Sequence, residues 1–175
     1  MKPSLPVIAL ALAMAVSIAR ASDPRLLIPV TFDAAAQVPD DVRSDCGLDY
    51  KLQEEAAQQL KAHDPAWEPT ETLDGRVIRI AILDVKDAGA TFFTASKSLS
   101  ARVQLLEDGQ VRRSTVMHIT ASVPLEQARR ICTILDRAAR GLGKRTAEWA
   151  RHPEKKYKDN DDDVVAAPAA PAPNP

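Results

Sequence analysis

Cys46 and Cys132 are the two cysteines of this 175-residue chain, and thiols are its most reactive side chains. The start of the chain, considered below, predicts export, and in an oxidising compartment a pair of thiols usually becomes a disulfide. The alternatives are two buried free thiols or half of a metal site. A separation of 86 residues with no CxxC spacing argues against metal. We therefore predict a Cys46–Cys132 disulfide and no metal site.

The three histidines, His63, His118 and His152, are the next candidates, as metal ligands or general bases. They lie far apart in the sequence, and none belongs to an HxxxH or HExxH pattern. The serines form no GxSxG elbow. The four aspartates within 159–163 lack the glycine and the late glutamate of a calcium loop. The sequence thus predicts no catalytic constellation and no cofactor, and a hydrolase using His118 with a neighbouring acid is the weakest functional hypothesis.

The segment 86–97, which we interpret as a long loop between two strands, is the best candidate for a binding site. It contains the adjacent aromatics Phe92 and Phe93, followed by Lys97. Neighbouring side chains of a strand point to opposite faces, so at most one phenylalanine would belong to the core. An exposed aromatic among small residues suits partner binding. The alternative is that both rings fold back over the sheet edge.

Composition restricts the classes of partner. The chain is 45% hydrophobic and 27% charged, with a formal net charge of −1 at pH 7. A nearly neutral protein offers no general attraction for nucleic acid or for an anionic membrane surface. The length suits one domain with an ordinary core.

Residues 1–21 have the pattern of a cleavable signal peptide. Lys2 precedes an apolar run, 7–18, that is too short to span a bilayer, and Ala19-Arg20-Ala21 matches a small-x-small cleavage motif. We predict cleavage after Ala21 and a soluble periplasmic or secreted protein. The absence of a cysteine near the cut argues against a lipid anchor, and no later segment is apolar enough for stable membrane insertion.

The elements that must position the candidate residues follow from hydrophobic periodicity. In the first half of the chain this pattern predicts a strand at 26–32 weakened by Pro29, a loop at 33–39, and a helix at about 40–63 interrupted by Gly47. In the second half it predicts strands at 76–85, 98–105 and 111–121, followed by a helix that Pro124 opens. Gly141 and Gly143 are potential breaks in that last helix. Asp108-Gly109 marks a tight hairpin turn between the last two strands. The order β-α-β-β-β-α predicts an α+β domain over 22–153, with a mostly antiparallel sheet and two helices on one face. Residues 154–175 are charged and then rich in Ala and Pro, which predicts a disordered tail.

Short motifs are spread over residues 25–153. They are the stretch Val38-Pro39 through Cys46, the loop running into Lys97-Ser98-Leu99, the Glu107-Asp108-Gly109 turn, and Cys132 followed by Leu135 and the Trp149 to Pro153 ending. Together they resemble a loosely defined family of exported proteobacterial proteins of unknown function. The resemblance implies a periplasmic domain with paired cysteines and no known activity. The element order is also similar to that of domains in envelope assembly and transport-accessory lipoproteins, although this sequence lacks their lipobox.

These observations lead to two functional hypotheses. The first is a non-enzymatic binding or accessory protein of the bacterial envelope, whose partner is an envelope protein held by Phe92, Phe93 and Lys97. The alternative is a secreted inhibitor or immunity-type protein that blocks a cell-wall or host enzyme with the same loop. The sequence leaves the oligomeric state open.

Overall fold

The computed structural model describes residues 23–90, 94–124 and 131–154. Its elements are β1 (Arg25–Leu26), β2 (Thr31–Gln37), α1 (Asp40–Asp45), α2 (Leu48–Lys61), β3 (Arg76–Ala90), β4 (Thr94–Glu107), β5 (Gln110–Pro124) and α3 (Ile131–Arg151). They form a curled, mostly antiparallel sheet with the helices on one side, which confirms the α+β class. The predicted signal peptide and residues 155–175 of the predicted tail lie outside the described residues.

The sheet is built around β3, β4 and β5, which form an antiparallel meander. β1 and β2 both pair with β3 in the parallel direction. Asp108 and Gly109 have φ values of 49° and 78°, the backbone that a tight two-residue hairpin turn requires. The predicted turn between β4 and β5 is therefore confirmed.

The first strand differs from its prediction. Pro29 lacks a backbone N–H, and the pairing with β3 stops after Leu26 and resumes at Thr31. β2 then continues to Gln37, so the loop predicted at 33–39 is wrong over most of its length.

The predicted long loop at 86–97 is also wrong. β3 and β4 continue as a paired hairpin through most of it, with Asp87 opposite Lys97 and Ala90 opposite Ala95. The small and polar residues of this segment gave no hydrophobic alternation, yet they fit a strand end whose side chains face solvent. Only 91–93, outside the described residues, separates the two strands.

The alternation predicted in β4 is confirmed. Leu99, Ala101, Val103 and Leu105 are buried on the face that the helices cover. Arg102 and Gln104, which alternate with them, point to the opposite face and are only partly covered. The core therefore lies between the sheet and the helices, where Trp67 and Trp149 are also buried.

Gly47 separates α1 from α2, as its position in the predicted helix suggested. Its φ of 54° is left-handed, a backbone region that glycine adopts without a steric cost. The bend also sets which side of α2 is buried: Leu48 is fully covered, whereas Tyr50 is exposed.

The last helix departs from its prediction at both points where a residue type suggested a boundary. Pro124 does not open a helix, because it ends β5 opposite Thr94. Gly141 and Gly143 do not interrupt α3, which runs from Ile131 to Arg151.

α2 and α3 pack side by side and run in the same direction. Three contacts fix this register: the Cys46–Cys132 disulfide at the start of both helices, an ion pair between Lys51 and Asp136, and an ion pair between Glu55 and Arg140 at 3.2 Å. At the far end, Arg151 approaches the ring of His63 at 3.4 Å. The helices therefore stay in contact over most of their length.

Gly143 is the point of closest approach between the two helices. A Cβ atom at this position would lie 2.8 Å from the backbone nitrogen of Ala56 and 2.9 Å from the carbonyl carbon of Glu55. These neighbours are helix backbone, which cannot swing aside. The glycine is thus required by packing rather than by flexibility.

The two ends of the domain differ in what they carry. At one end, here called the disulfide end, lie Cys46–Cys132 and the paired strand ends at Thr94 and Pro124. At the other, here called the termini end, Asp23 precedes β1 and Glu154 follows α3. None of the helices in the described part of the chain has the length and apolar character to cross a membrane.

We predict that Gly143→Ala lowers the free energy of unfolding, whereas Gly141→Ala does not. Alanine favours a helix by about 1 kcal/mol over glycine, but overpacking at position 143 costs about 1–3 kcal/mol. At position 141 a new Cβ would lie 3.3 Å from the Cγ2 of Ile119, a side-chain atom that can yield. Urea denaturation of both variants measures the difference, and equal stabilities would contradict the proposed backbone contact.

We also predict that Cys46→Ala with Cys132→Ala lowers stability substantially. The bond closes 86 residues, and the chain-entropy model attributes up to about 4–5 kcal/mol to a loop of this length. Chemical denaturation of the oxidised protein and of the double variant measures the loss. Indistinguishable midpoints would show that helix packing alone sets the register.

Candidate functional site

The disulfide predicted from the sequence is present and anchors one end of the domain. Cys46 and Cys132 are bonded, with their Cα atoms 5.1 Å apart. Cys46 is buried just before α2, and Cys132 lies in the first turn of α3. The bond thus holds the starts of both helices together at the end of the domain where the β3–β4 hairpin closes.

The predicted binding residues occupy different parts of this hairpin end. Phe92 and Phe93 belong to the connection between β3 and β4, outside the described residues, so their role remains a prediction. The strand leading to them, 86–89, is exposed although it is paired with β4. The hairpin therefore presents an ordered, solvent-facing stem on the β3 side.

Lys97 lies on the face that carries the helices, because it shares the register of Leu99 and Ala101. Its side chain is only 21% exposed, and its ammonium group pairs with the carboxylate of Asp87 on the opposite strand. Asp87 is 81% exposed, so the acidic partner faces solvent more than the base does. An ion pair of this kind contributes little stability, but it fixes the position of both charges on the stem.

Tyr50 is an exposed aromatic at the same end that sequence reasoning missed. It lies in the first turn of α2, four residues after the disulfide-bonded Cys46, and it is 65% exposed. Helical spacing allowed either Leu48 or Tyr50 as the buried position. Only the exact start of α2 after Gly47 decides between them, and spacing alone does not reveal it.

The uncovered face of the sheet carries a short polar row across three strands. Asp84, Ser100 and His118 are successive cross-strand partners on β3, β4 and β5. The Nδ1 of His118 lies 2.8 Å from the Oγ of Ser100. In a serine hydrolase the histidine stands between the serine and the acid, whereas here the serine stands between the other two. This row therefore does not have the order of a serine-hydrolase triad.

Charged groups on this face are held by neighbours within the sheet. Oδ2 of Asp84 pairs with Lys86 at 3.0 Å, while its Oδ1 is buried with no hydrogen-bond partner among the described residues. The backbone N–H of Ala35 lowers the pKa of Asp33, and the paired guanidinium of Arg102 lowers it further. Within 23–90, 94–124 and 131–154, no group of three potential metal ligands comes together.

A cavity of about 440 Å³ opens at the termini end. Its lining combines four carboxylates with two guanidinium groups and the Trp67 ring; the residues are Asp23, Arg25, Asp64, Ala66, Trp67, Glu68, Asp74, Gly75 and Arg76. The indole N–H of Trp67 donates to the carbonyl of Pro24 at 3.1 Å, so the ring ties the start of the chain to the connector after α2. This contact gives Trp67 a structural role.

No protein-family model matches the sequence, and no curated protein matches it. Among solved structures, the chain is similar to a minor lipoprotein from Acinetobacter baumannii, at 11% identity and a TM-score of 0.47, over 73% of this chain and 95% of that one. It is similar to a hypothetical protein from Chlamydia trachomatis at 15% identity and a TM-score of 0.47, over 73% and 97%. A third similar structure, the PelC dodecamer from Paraburkholderia phytofirmans, has 11% identity and a TM-score of 0.42, over 73% and 88%. At these identities and TM-scores the likenesses assign no function to this chain.

Proposed function

We propose that this chain is an exported, non-enzymatic binding or accessory protein of the bacterial envelope that holds a protein partner at its disulfide end. The observation that carries the proposal is the Cys46–Cys132 bond. Structural disulfides persist in oxidising compartments outside the cytosol, which agrees with the export signal read from residues 1–21.

The same bond supports a rigid platform for binding. It ties the starts of α2 and α3 together at the end of the domain where the β3–β4 hairpin closes. A preorganised surface loses little conformational entropy when a partner binds, and therefore keeps more of its contact energy as affinity. A disulfide at this end thus favours a surface whose shape is fixed before the partner arrives.

The residues of this platform have the chemistry of a protein-binding surface. Phe92 and Phe93 stand between the strand ends, Tyr50 is exposed on α2, and Asp87 with Lys97 adds a polar margin. Aromatic side chains dominate binding energy at protein interfaces, and polar groups usually surround them.

The described ends of the chain lie away from this surface. Asp23 and Glu154, the first and last described residues, both lie at the termini end. The Ala- and Pro-rich composition of residues 155–175 suits a semi-rigid spacer. This arrangement supports a role in which the disulfide end faces the partner.

We predict that a photo-crosslinking amino acid at position 92 or 93 captures one dominant protein in living cells, whereas the same group at position 73 does not. Leu73 is a matched control because it is an exposed large apolar residue at the termini end. Mass spectrometry of the adducts identifies the partner. Capture from position 73 but not from 92 or 93, in a folded and exported protein, would contradict the assignment of the surface.

The captured partner allows a quantitative second prediction. Phe92→Ala with Phe93→Ala weakens its binding by on the order of tenfold or more, because truncating one central aromatic at an interface often costs about 2 kcal/mol. Leu73→Ala leaves binding unchanged, and all variants keep the melting temperature of the parent. An enzyme as the partner, inhibited by the purified protein, would identify the role as that of an inhibitor.

A further inference from the structure

Charge is strongly separated along this domain, although the whole chain is nearly neutral. Residues 23–75 contain twelve acidic residues against four basic ones. The described residues of β5 and α3 contain seven basic residues against two acidic ones, Asp136 and Glu148. β5 is an outermost strand of the sheet, and α3 packs against it. One edge of the domain is therefore basic.

The outer edge of β5 has a defined backbone pattern. Among the described strands, β5 pairs only with β4. The carbonyls of His118 and Ser122 point away from β4, because Arg145 and Arg137 of α3 donate hydrogen bonds to them at 2.9 and 3.3 Å. In an antiparallel ladder the outward-facing residues alternate, so the N–H and C=O groups of Thr120 face outward as well.

α3 lies along this edge in matching register. Arg137 and Arg145 are eight residues apart, about 12 Å along a helix, and the two carbonyls are four residues apart, about 13 Å along a strand. Gly141, midway between the arginines, lets the helix approach the side chain of Ile119. The two guanidinium groups therefore occupy two outward carbonyls in the C-terminal half of β5, on the edge that no other described strand pairs with.

We propose that this edge, defined as His118–Ser122 with Arg137 and Arg145, is the docking site for an extended acidic segment of a partner protein, which adds to the sheet as the strand next to β5. A neutral strand would displace both guanidinium groups from their carbonyls without supplying a carboxylate to pair with them. A strand with carboxylates pairs with them again, through charge-assisted hydrogen bonds that are about twice as strong as neutral ones. Its backbone then bonds to the edge, as in other cases of strand addition.

The geometry specifies the spacing of the acidic residues. Side chains of a strand return to the same face every second residue, and the two occupied carbonyls are four residues apart. Carboxylates at positions i and i+4 of the incoming segment therefore face α3 together and reach both arginines. Lys144, exposed on the same side of α3, adds positive charge, while Glu148 is the one acidic residue on this side of the helix among the described residues.

The test uses the full mature chain, from Ser22 to Pro175, and a ten-residue peptide of valine and threonine with glutamates at positions 3 and 7. Titration at low salt is expected to show saturable binding, which a peptide with glutamines at those positions lacks. Hydrogen exchange of the outward amides of β5, including that of Thr120, is expected to slow when the glutamate peptide is bound. Binding without that protection would mean charge attraction alone and would overturn strand addition.

Variants of α3 provide matched controls. Arg137→Gln is expected to weaken binding by on the order of tenfold, the cost of about 1.5–3 kcal/mol for a lost charged hydrogen bond. Arg140→Gln removes an arginine of the same helix that pairs with Glu55 instead of the edge. The disulfide and the Lys51–Asp136 pair still hold α3 in register, so binding is expected to remain unchanged. An equal loss in both variants would overturn the assignment of the site. The test is independent of the disulfide end, because none of these residues belongs to that surface.

Two other occupants of the edge would give different outcomes. The aspartates within 159–163 belong to this chain itself, and deleting residues 155–175 would then lower the protection of the β5 amides in the absence of peptide. A second copy would appear as concentration-dependent association that the glutamate peptide reverses. Either outcome would overturn the proposal that a partner protein is the occupant. The proposal is supported if the tail deletion leaves the protection of the β5 amides unchanged and the protein is a monomer before the peptide is added.

Discussion

The contact between α2 and α3 is the constraint on which the rest of the domain depends. Parallel helices of one chain need a long connection between them, and here that connection is most of the sheet. Gly143 allows the backbones of the two helices to approach at Ala56 more closely than a residue with a Cβ atom would permit, and the Cys46–Cys132 bond fixes the register at one end. The sheet supplies the apolar surface, but the helix pair determines where α3 lies upon it.

Both proposed surfaces follow from the placement of α3. Because the disulfide holds Cys132 beside Cys46, the starts of α2 and α3 are fixed to each other at the disulfide end. Because the same helix runs alongside β5, with Gly141 next to Ile119, Arg137 and Arg145 reach the carbonyls of β5. An unpaired strand edge invites association with any other strand, and charged groups over it are one way in which proteins restrict that pairing. Arg137 and Arg145 of α3 restrict the pairing of β5 with neutral strands and favour pairing with acidic ones.

Sequence reasoning succeeded where a local pattern determines the structure. The alternation of β4 defines its buried face, Asp108-Gly109 favours a tight turn, and two cysteines favour a disulfide in the oxidising compartment that the predicted signal peptide implies. It failed where pairing with a distant strand decides. The polar stem 86–90 is a strand because β4 lies beside it, and Pro124 ends β5 because Thr94 is its partner. Gly143 looked like a helix breaker, since no local pattern shows that Ala56 lies against it.

The same limit explains why the candidate sites were only partly predictable. The net charge of −1 argues against general attraction to a polyanion. That argument holds only for a protein whose charges are evenly distributed over its surface. Folding places the basic last part of the chain on β5 and α3, so the β5 edge of the sheet is basic, whereas the acidic residues of 23–75 lie elsewhere in the domain. The two arginines affect the edge through the carbonyls to which they donate hydrogen bonds. Which carbonyls these are depends on the register between α3 and β5. Binding at the β5 edge therefore depends on how α3 is held in place, and it cannot be predicted from the amino-acid composition of the chain.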